Sequence, residues 1–244
     1  MEWFESWFDS EYYHLLYEHR NVEEAEIFTA NIAKLFPPIK YKKLLETACG
    51  KGRHALSFAN KGYDVTGFDL SINSIAEAKK LQKENLALKF EVHNILDTFD
   101  QEEYDIVTNL FTSFGYFENT LLDLAAISNL KLALKKDGLI IQDYFNASLV
   151  KNDEIWQEKT VNNVHFKTKK TIENGYVYKE ILVSDSKIGL NNISFEEKVR
   201  LITLEDFKQL YKANHLNIID IYGDYELNKF DAAFSPRLII IAQK

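Results

Sequence analysis

The chain has 244 residues, 46% of them hydrophobic, and a formal net charge of −8. That length buries a substantial core, either as one large domain or as a domain carrying an insertion. No run of Lys and Arg exceeds a few residues, which argues against a phosphate-backbone partner, and no apolar stretch approaches the roughly 20 residues that span a bilayer.

Taken from the amino end, Met1-Glu2-Trp3-Phe4-Glu5 has neither the positive start nor the apolar run of a signal peptide. With Cys49 as the single cysteine, an intramolecular disulfide is excluded, and the expectation is a soluble cytoplasmic protein. Seven aromatics fall in the first 17 residues (Trp3, Phe4, Trp7, Phe8, Tyr12, Tyr13 and Tyr17), at spacings that suit one or two short helices with an apolar face. Residues 1–36 therefore read as a helical cap. Its functional reading is a lid whose Tyr12 and Arg20 close over a cofactor.

From Tyr41 a strand–helix alternation runs for about a hundred residues, the pattern of a parallel α/β sheet. The first strand spans 43–47. It is followed by Ala48-Cys49-Gly50-Lys51-Gly52, a small-residue turn, and by a helix over 53–61. The second strand ends at Asp69, and Ser71 caps a helix with Ile72, Ile75, Ala76 and Leu81 at helical spacing. Further strands are expected at 88–93, 104–109 and 139–144. A helix over 119–135 is expected to stop at Lys135-Lys136-Asp137-Gly138. Beyond residue 150, segments 154–168, 170–184 and 194–202 read as three or four antiparallel strands, with a hairpin turn at Glu173-Asn174-Gly175. Thr203 with Asp206 resembles a capping box, and two strands, 216–222 and 237–242, finish the chain. The expected division is a cap (1–36), a core (37–150 and 203–244) and an inserted β platform (151–202).

The turn after the first strand carries the functional signal. Gly50, Gly52 and Ala55 satisfy G-x-G-x-x-A, and Asp69 lies 19 residues after Gly50, the rough dimensions of a dinucleotide fingerprint. Glu46 opposes that reading. A carboxylate just before the turn repels a pyrophosphate and welcomes a ligand with a positive amino group. Ala48 extends the small-residue run to A-x-G-x-G, so the backbone turns before the helix begins. These features favour S-adenosylmethionine over NAD.

Glu46-Thr47-Ala48-Cys49-Gly50-Lys51-Gly52, with Asp69 after it and Asn109-Leu110-Phe111-Thr112-Ser113-Phe114-Gly115-Tyr116 after the fourth strand, resembles the class I S-adenosylmethionine-dependent methyltransferases, in particular bacterial small-molecule enzymes. The resemblance covers residues 40–145. It implies a Rossmann-like α/β fold with a seven-stranded, mostly parallel sheet in the order 3-2-1-4-5-7-6, and S-adenosyl-L-methionine as cofactor. Its implied cofactor residues are Glu46, Ala48, Gly50 and Gly52 in the first motif, and Asp69 with Leu70 at the ribose. Asn94 and Ile95 would flank adenine, and Asn109, Leu110 and Phe111 would line the methionine side. Many members have Asp where this chain has Asn94.

The implied reaction is in-line methyl transfer to nitrogen or oxygen of a small-molecule acceptor, by a monomer or homodimer. The absence of an Asn-Pro-Pro-Tyr-type run after the fourth strand disfavours a nucleic-acid base as acceptor. Tyr144 is the candidate general base, with Asp143 and His165 as alternatives, and Arg237 reads as an ion-pair partner. No histidine pair has metal-ligand spacing. The competing functions are a non-catalytic S-adenosylmethionine-binding scaffold and an NAD-dependent oxidoreductase.

Overall fold

The structure is a computed structural model that describes residues 3–17, 22–99 and 101–244. It divides into two compact units, residues 1–20 with 150–201 and residues 21–149 with 202–244.

The larger unit is the α/β fold. In chain order it holds α3 (Val22–Leu35), β1 (Lys43–Thr47), α4 (Arg53–Asn60), β2 (Asp64–Asp69), α5 (Ile72–Lys79), β3 (Leu88–Val92), β4 (Tyr104–Asn109), α6 (Thr120–Ala133) and β5 (Leu134–Phe145). After the insertion come α7 (Leu204–Ala213), β10 (Asn217–Tyr222) and β11 (Arg237–Gln243). The seven strands lie in the order β10-β11-β5-β4-β1-β2-β3, which is the expected 3-2-1-4-5-7-6 with β10 and β11 as sixth and seventh sheet strands. The first five strands run parallel, and β11 is antiparallel to both β5 and β10. Strands β1, β4 and β11 and the second half of β5 are buried almost continuously, as expected of a sheet covered on both faces. On α3 the buried stripe is Ala25, Phe28, Thr29 and Ile32, the spacing of one helix face. Phe28 and Ile32 join Leu44, Phe58, Val65, Phe90, Ile106 and Ile239 in the main core.

Local details depart from expectation where packing overrides propensity. On α5 the buried positions are Ser74, Ile75 and Ala78, whereas Ile72 is exposed. Helix α6 ends at Ala133 rather than 135. Leu134 turns extended, buries its side chain and pairs with Tyr104 of β4, so Lys135–Gly138 belongs to the start of β5. The left-handed residue there is Asp137 (φ 62), not the glycine. The Thr203–Asp206 capping box forms as expected.

The smaller unit contains α1 (Trp3–Phe8), α2 (Glu11–Leu16) and a four-stranded antiparallel sheet. Its strands are β6 (Gln157–Val161), β7 (Val164–Glu173), β8 (Tyr176–Asp185) and β9 (Leu190–Arg200), in the order 6-7-8-9. The segment 154–168 holds β6 and the start of β7, separated by a turn in which Asn162 is left-handed, which makes four strands of the expected three or four. The hairpin at Asn174-Gly175 has positive φ at both residues, the geometry that matches the twist of the flanking strands. Trp7, Tyr12, Leu16, Val164, Phe166, Ile181 and Val183 form this unit's core. Glu197 accepts from Trp7 Nε1 (2.8 Å) and from the Tyr17 hydroxyl (2.6 Å). The stretch read as a single cap over 1–36 thus divides: α1 and α2 belong with the platform strands, and α3 belongs with the large sheet.

Candidate functional site

The site is built at the carboxyl ends of β1, β2 and β4. Strand β1 delivers Glu46, which is 2% exposed. Its Oε1 lies 3.5 Å from His54 Nδ1 on α4, while its buried Oε2 has no hydrogen-bond partner among the described residues. A buried carboxylate oxygen without a donor is expensive, and a ligand ammonium is the natural way to satisfy it.

The turn that follows is strongly constrained. Ala48 (φ 53), Gly50 (φ 55) and Gly52 (φ 79) are all left-handed. At Gly52, which caps α4, a Cβ would fall 2.5 Å from Phe90 Cζ, so this glycine is required by packing. A Cβ at Gly50 would meet nothing within 4 Å. Gly50 faces open space, and that space is where a ligand can approach the backbone. Cys49 is buried in the same turn. Burial, with Glu46 and Asp69 adding, holds its thiol well above the usual range, so it stays protonated and is not a nucleophile.

Asp69 closes β2. Its Oδ2 accepts the Gly50 N–H at 2.8 Å and its Oδ1 accepts the Ser71 N–H at 2.9 Å, so the carboxylate is fixed in orientation beside the turn. Leu70, next to it, is exposed. At the end of β3, Asn94 Oδ1 accepts the Leu96 N–H (3.0 Å), and the Ile95 carbonyl accepts from Asn129 Nδ2 (3.1 Å). Nearby, the His93 ring packs edge-on against Phe68 and tilted against Phe99.

The loop after β4 is held differently from what sequence suggests. Asn109 is buried and its amide is fully engaged. Nδ2 donates to Thr47 Oγ1 (3.0 Å) and to the Ser113 carbonyl (3.1 Å), while Oδ1 accepts from Gln142 Nε2 (2.7 Å). Its part is to tie the loop to the sheet. Leu110 lies in the main core, and Phe111 packs against that core. Phe111 (φ 60) and Thr112 (φ 64) are consecutive left-handed residues without glycine, a conformation costing about 1–3 kcal/mol per residue unless its surroundings enforce it.

Asp143 on β5 supplies that enforcement. Its Oδ2 accepts the Phe111 N–H (2.8 Å) and the Tyr225 hydroxyl (2.9 Å), and its Oδ1 accepts Arg237 Nε (2.8 Å). The Thr112 N–H donates to the Asp143 carbonyl (3.0 Å). Burial works to lower the Arg237 value, and the Asp143 carboxylate beside it more than offsets that, so the guanidinium remains charged. Burial raises the Tyr225 hydroxyl, with Asp143 adding to the rise, so Tyr225 stays protonated as a donor. Asp143, read in sequence as a possible base, is instead the centre of a buried ion pair. Arg237 is its partner, as its sequence reading anticipated. Nothing local could have joined them, since they are 94 residues apart.

Tyr144 is 0% exposed. It stacks on Phe145 at 4.5 Å and meets Phe207 edge-on at 5.3 Å. A Cβ on Gly115 would come within 2.5 Å of its hydroxyl. This position packs Tyr144 into the core between Gly115, Phe145 and Phe207. Tyr12 sits in the smaller unit, buried, with its hydroxyl 3.5 Å from Asp185 Oδ2; burial first, and Asp185 second, raise its value. His165 lies in the same unit, near Thr160 and Glu158. Arg20 lies outside the described residues. Two residues not singled out in sequence join the site, His54 beside Glu46 and Arg53, whose guanidinium sits 4.4 Å from the Phe111 ring centroid. Among the described residues no group of three or more His, Cys, Asp or Glu could hold a metal, and no helix is long and apolar enough to cross a membrane.

Comparison with known proteins follows the same geometry. Residues 44–138 match a family model described as a methyltransferase domain. A relative in Geobacillus sp. (strain WCH70), named as a methyltransferase, is 31% identical over 118 residues, which is 48% of this chain and 47% of that protein. The chain spans about half the length of the curated relatives it matches. Among solved structures, a S-adenosylmethionine-dependent methyltransferase from Clostridium acetobutylicum ATCC 824 superposes with a TM-score of 0.78 at 19% identity, covering 95% of this chain and 96% of that one. The sugar N-methyltransferase KedS8 from Streptoalloteichus sp. ATCC 53650 superposes at 0.75 and 18%, covering 95% and 92%. Strand order and glycine turn agree with these comparisons: residues 44–138 are similar to a methyltransferase domain, and the seven-stranded α/β fold is that of solved S-adenosylmethionine-dependent methyltransferases.

Proposed function

We propose that this protein transfers the methyl group of S-adenosylmethionine to a nitrogen or oxygen atom of a small-molecule acceptor. The observation that carries the reading is Glu46 Oε2, buried and without a donor at the mouth of a glycine turn whose Gly50 faces open space. In this reading Glu46 receives the ammonium of the donor's amino-acid part, and the oriented Asp69 carboxylate receives the ribose hydroxyls. The same carboxylate at Glu46 would oppose a dinucleotide pyrophosphate. The name of KedS8, a sugar N-methyltransferase, supports a small acceptor with a nucleophilic lone pair.

The donor supplies an activated methyl on a sulfonium. What remains for the protein is to orient and to exclude water. As the acceptor's lone pair forms the new bond to carbon, the carbon–sulfur bond breaks and its electron pair stays on sulfur. The acceptor's proton then leaves to solvent, which makes a side-chain base optional.

Calorimetry with S-adenosylmethionine, S-adenosylhomocysteine and NAD, followed by a labelled-methyl screen against pooled amines and alcohols, tests the reading. Binding of both sulfur ligands and labelling of an acceptor are expected. Selective NAD binding would overturn it. Donor binding without transfer to any pool would favour the scaffold reading.

A further inference from the structure

The donor cradle and the loop after β4 come from separate stretches of chain, and one side chain from the last strand joins the second to the sheet. We infer that Arg237 is a positioning residue for methyl transfer: through Asp143 and Thr112 it holds the loop after β4 in its left-handed conformation beside the donor cradle. The inference rests on the donor reading above.

The geometry is specific to a guanidinium. Arg237 Nε donates to Asp143 Oδ1 at 2.8 Å, and Nη2 of the same group donates to Thr112 Oγ1 at 3.1 Å. Two donors in a fixed planar fork thus bind the sheet and the loop at once, which a lysine ammonium cannot reproduce in the same geometry. Asp143 is thereby turned so that its other oxygen accepts the Phe111 N–H. The two left-handed residues are each tied twice: Phe111 by its N–H and its ring, Thr112 by its N–H and its hydroxyl.

The Phe111 ring carries the coupling to the cradle. Arg237 lies 5.6 Å from its centroid, and Arg53, the residue directly after Gly52, lies 4.4 Å from it. A shift of the loop therefore displaces an aromatic ring that touches the first turn of α4. The donor's principal contacts in the present reading, Glu46 and Asp69, stand on β1 and β2 and are not bonded to Arg237. Loosening the fork should leave donor affinity nearly intact and disturb the alignment of methyl and acceptor. Alignment is where small displacements carry large rate penalties.

The test compares wild type with Arg237→Lys, Thr112→Ala and Thr112→Ser. S-adenosylhomocysteine affinity is measured by calorimetry, exchange of the Phe111 and Thr112 amides by hydrogen–deuterium exchange, and labelled-methyl transfer against the pooled acceptors. For Arg237→Lys and Thr112→Ala the expected result is amide exchange at least about tenfold faster and transfer at least about tenfold slower, with S-adenosylhomocysteine affinity within about threefold. Thr112→Ser, which keeps the hydroxyl, should match wild type on all three. Wild-type exchange and transfer in both Arg237→Lys and Thr112→Ala would overturn the inference, as would a Thr112→Ser protein as impaired as Thr112→Ala. Should Arg237→Lys fail to fold, the Thr112 pair decides. A wild-type protein that binds no S-adenosylhomocysteine would instead sink the donor reading, while the exchange data would still report on the fork.

Discussion

Replacing Glu46 by Gln removes one negative charge while keeping the shape of the side chain. In the free protein Glu46 is 2% exposed, with one oxygen 3.5 Å from His54 and the other without a donor. Two effects follow with opposite signs. Losing a charge-assisted hydrogen bond to the donor's ammonium costs about 1.5–3 kcal/mol, which is roughly a 10- to 150-fold loss of affinity. Losing an uncompensated buried charge relieves the free protein, so its melting temperature should hold or rise. The assay is calorimetry with S-adenosylhomocysteine beside 5′-methylthioadenosine, which lacks the amino-acid part. The first ligand should weaken by the stated factor and the second should bind Glu46→Gln as it binds wild type. Equal losses for both ligands, or no loss for either, would refute the assignment of Glu46 to the ammonium.

The other predictions probe different parts of the same unit. Gly50 and Gly52 are both left-handed but face different surroundings, so alanine should act differently at each. Gly52→Ala drives a methyl into Phe90 and should destabilise the fold by about 1–3 kcal/mol, seen in denaturant melts. Gly50→Ala should cost only about 1 kcal/mol of stability yet block donor binding in calorimetry. Thr203→Ala deletes the capping box of α7 and should cost about 1 kcal/mol, with donor affinity unchanged. Glu26 is held below its ordinary value of 4.5 by the hydrogen bond from Lys61 and then by that from Ser57. Its contribution is therefore present above about pH 4.5 and is lost as pH falls through the lower folded value. Glu26→Gln should flatten the acid limb of a stability–pH curve below that point. An unchanged limb would assign the acid sensitivity elsewhere.

What sequence shows well here is what depends on neighbours in the chain. Glu46, Ala48, Gly50, Gly52 and Asp69 lie within one β-α-β stretch, and the tight turn between β1 and α4 is legible from residue size and order alone. Caps and hairpin turns are equally local, which is why Ser71, Thr203 and Asn174-Gly175 behave as expected. The misreadings arise where a distant partner decides. Asp143 resembles a base until Arg237 and Tyr225 arrive from the carboxyl end. Tyr144 stands at a strand end but is enclosed by Gly115 and Phe207. The termination of α6 is set by Leu134 pairing with β4, against a lysine-rich glycine stop that looked sufficient. Asn109 reads as a ligand contact, and its amide proves to be consumed by Thr47, Ser113 and Gln142.

The position of β11 has a consequence for how the molecule is made. This strand is the last in the chain but an interior one in the sheet, lying between β5 and β10. Strand β10 is translated earlier and has no seat on the sheet until β11 provides one. The parallel core can pair as it emerges, because its contacts are between successive units. The Asp143 carboxylate, by contrast, must wait in a half-built sheet for a guanidinium that emerges 94 residues later. Until then β5 is an open edge bearing a charge, and charge on an edge is a known guard against pairing with the wrong strand. The carboxylate that fixes the loop thus gains its ion-pair partner only when the interior position beside β5 is filled.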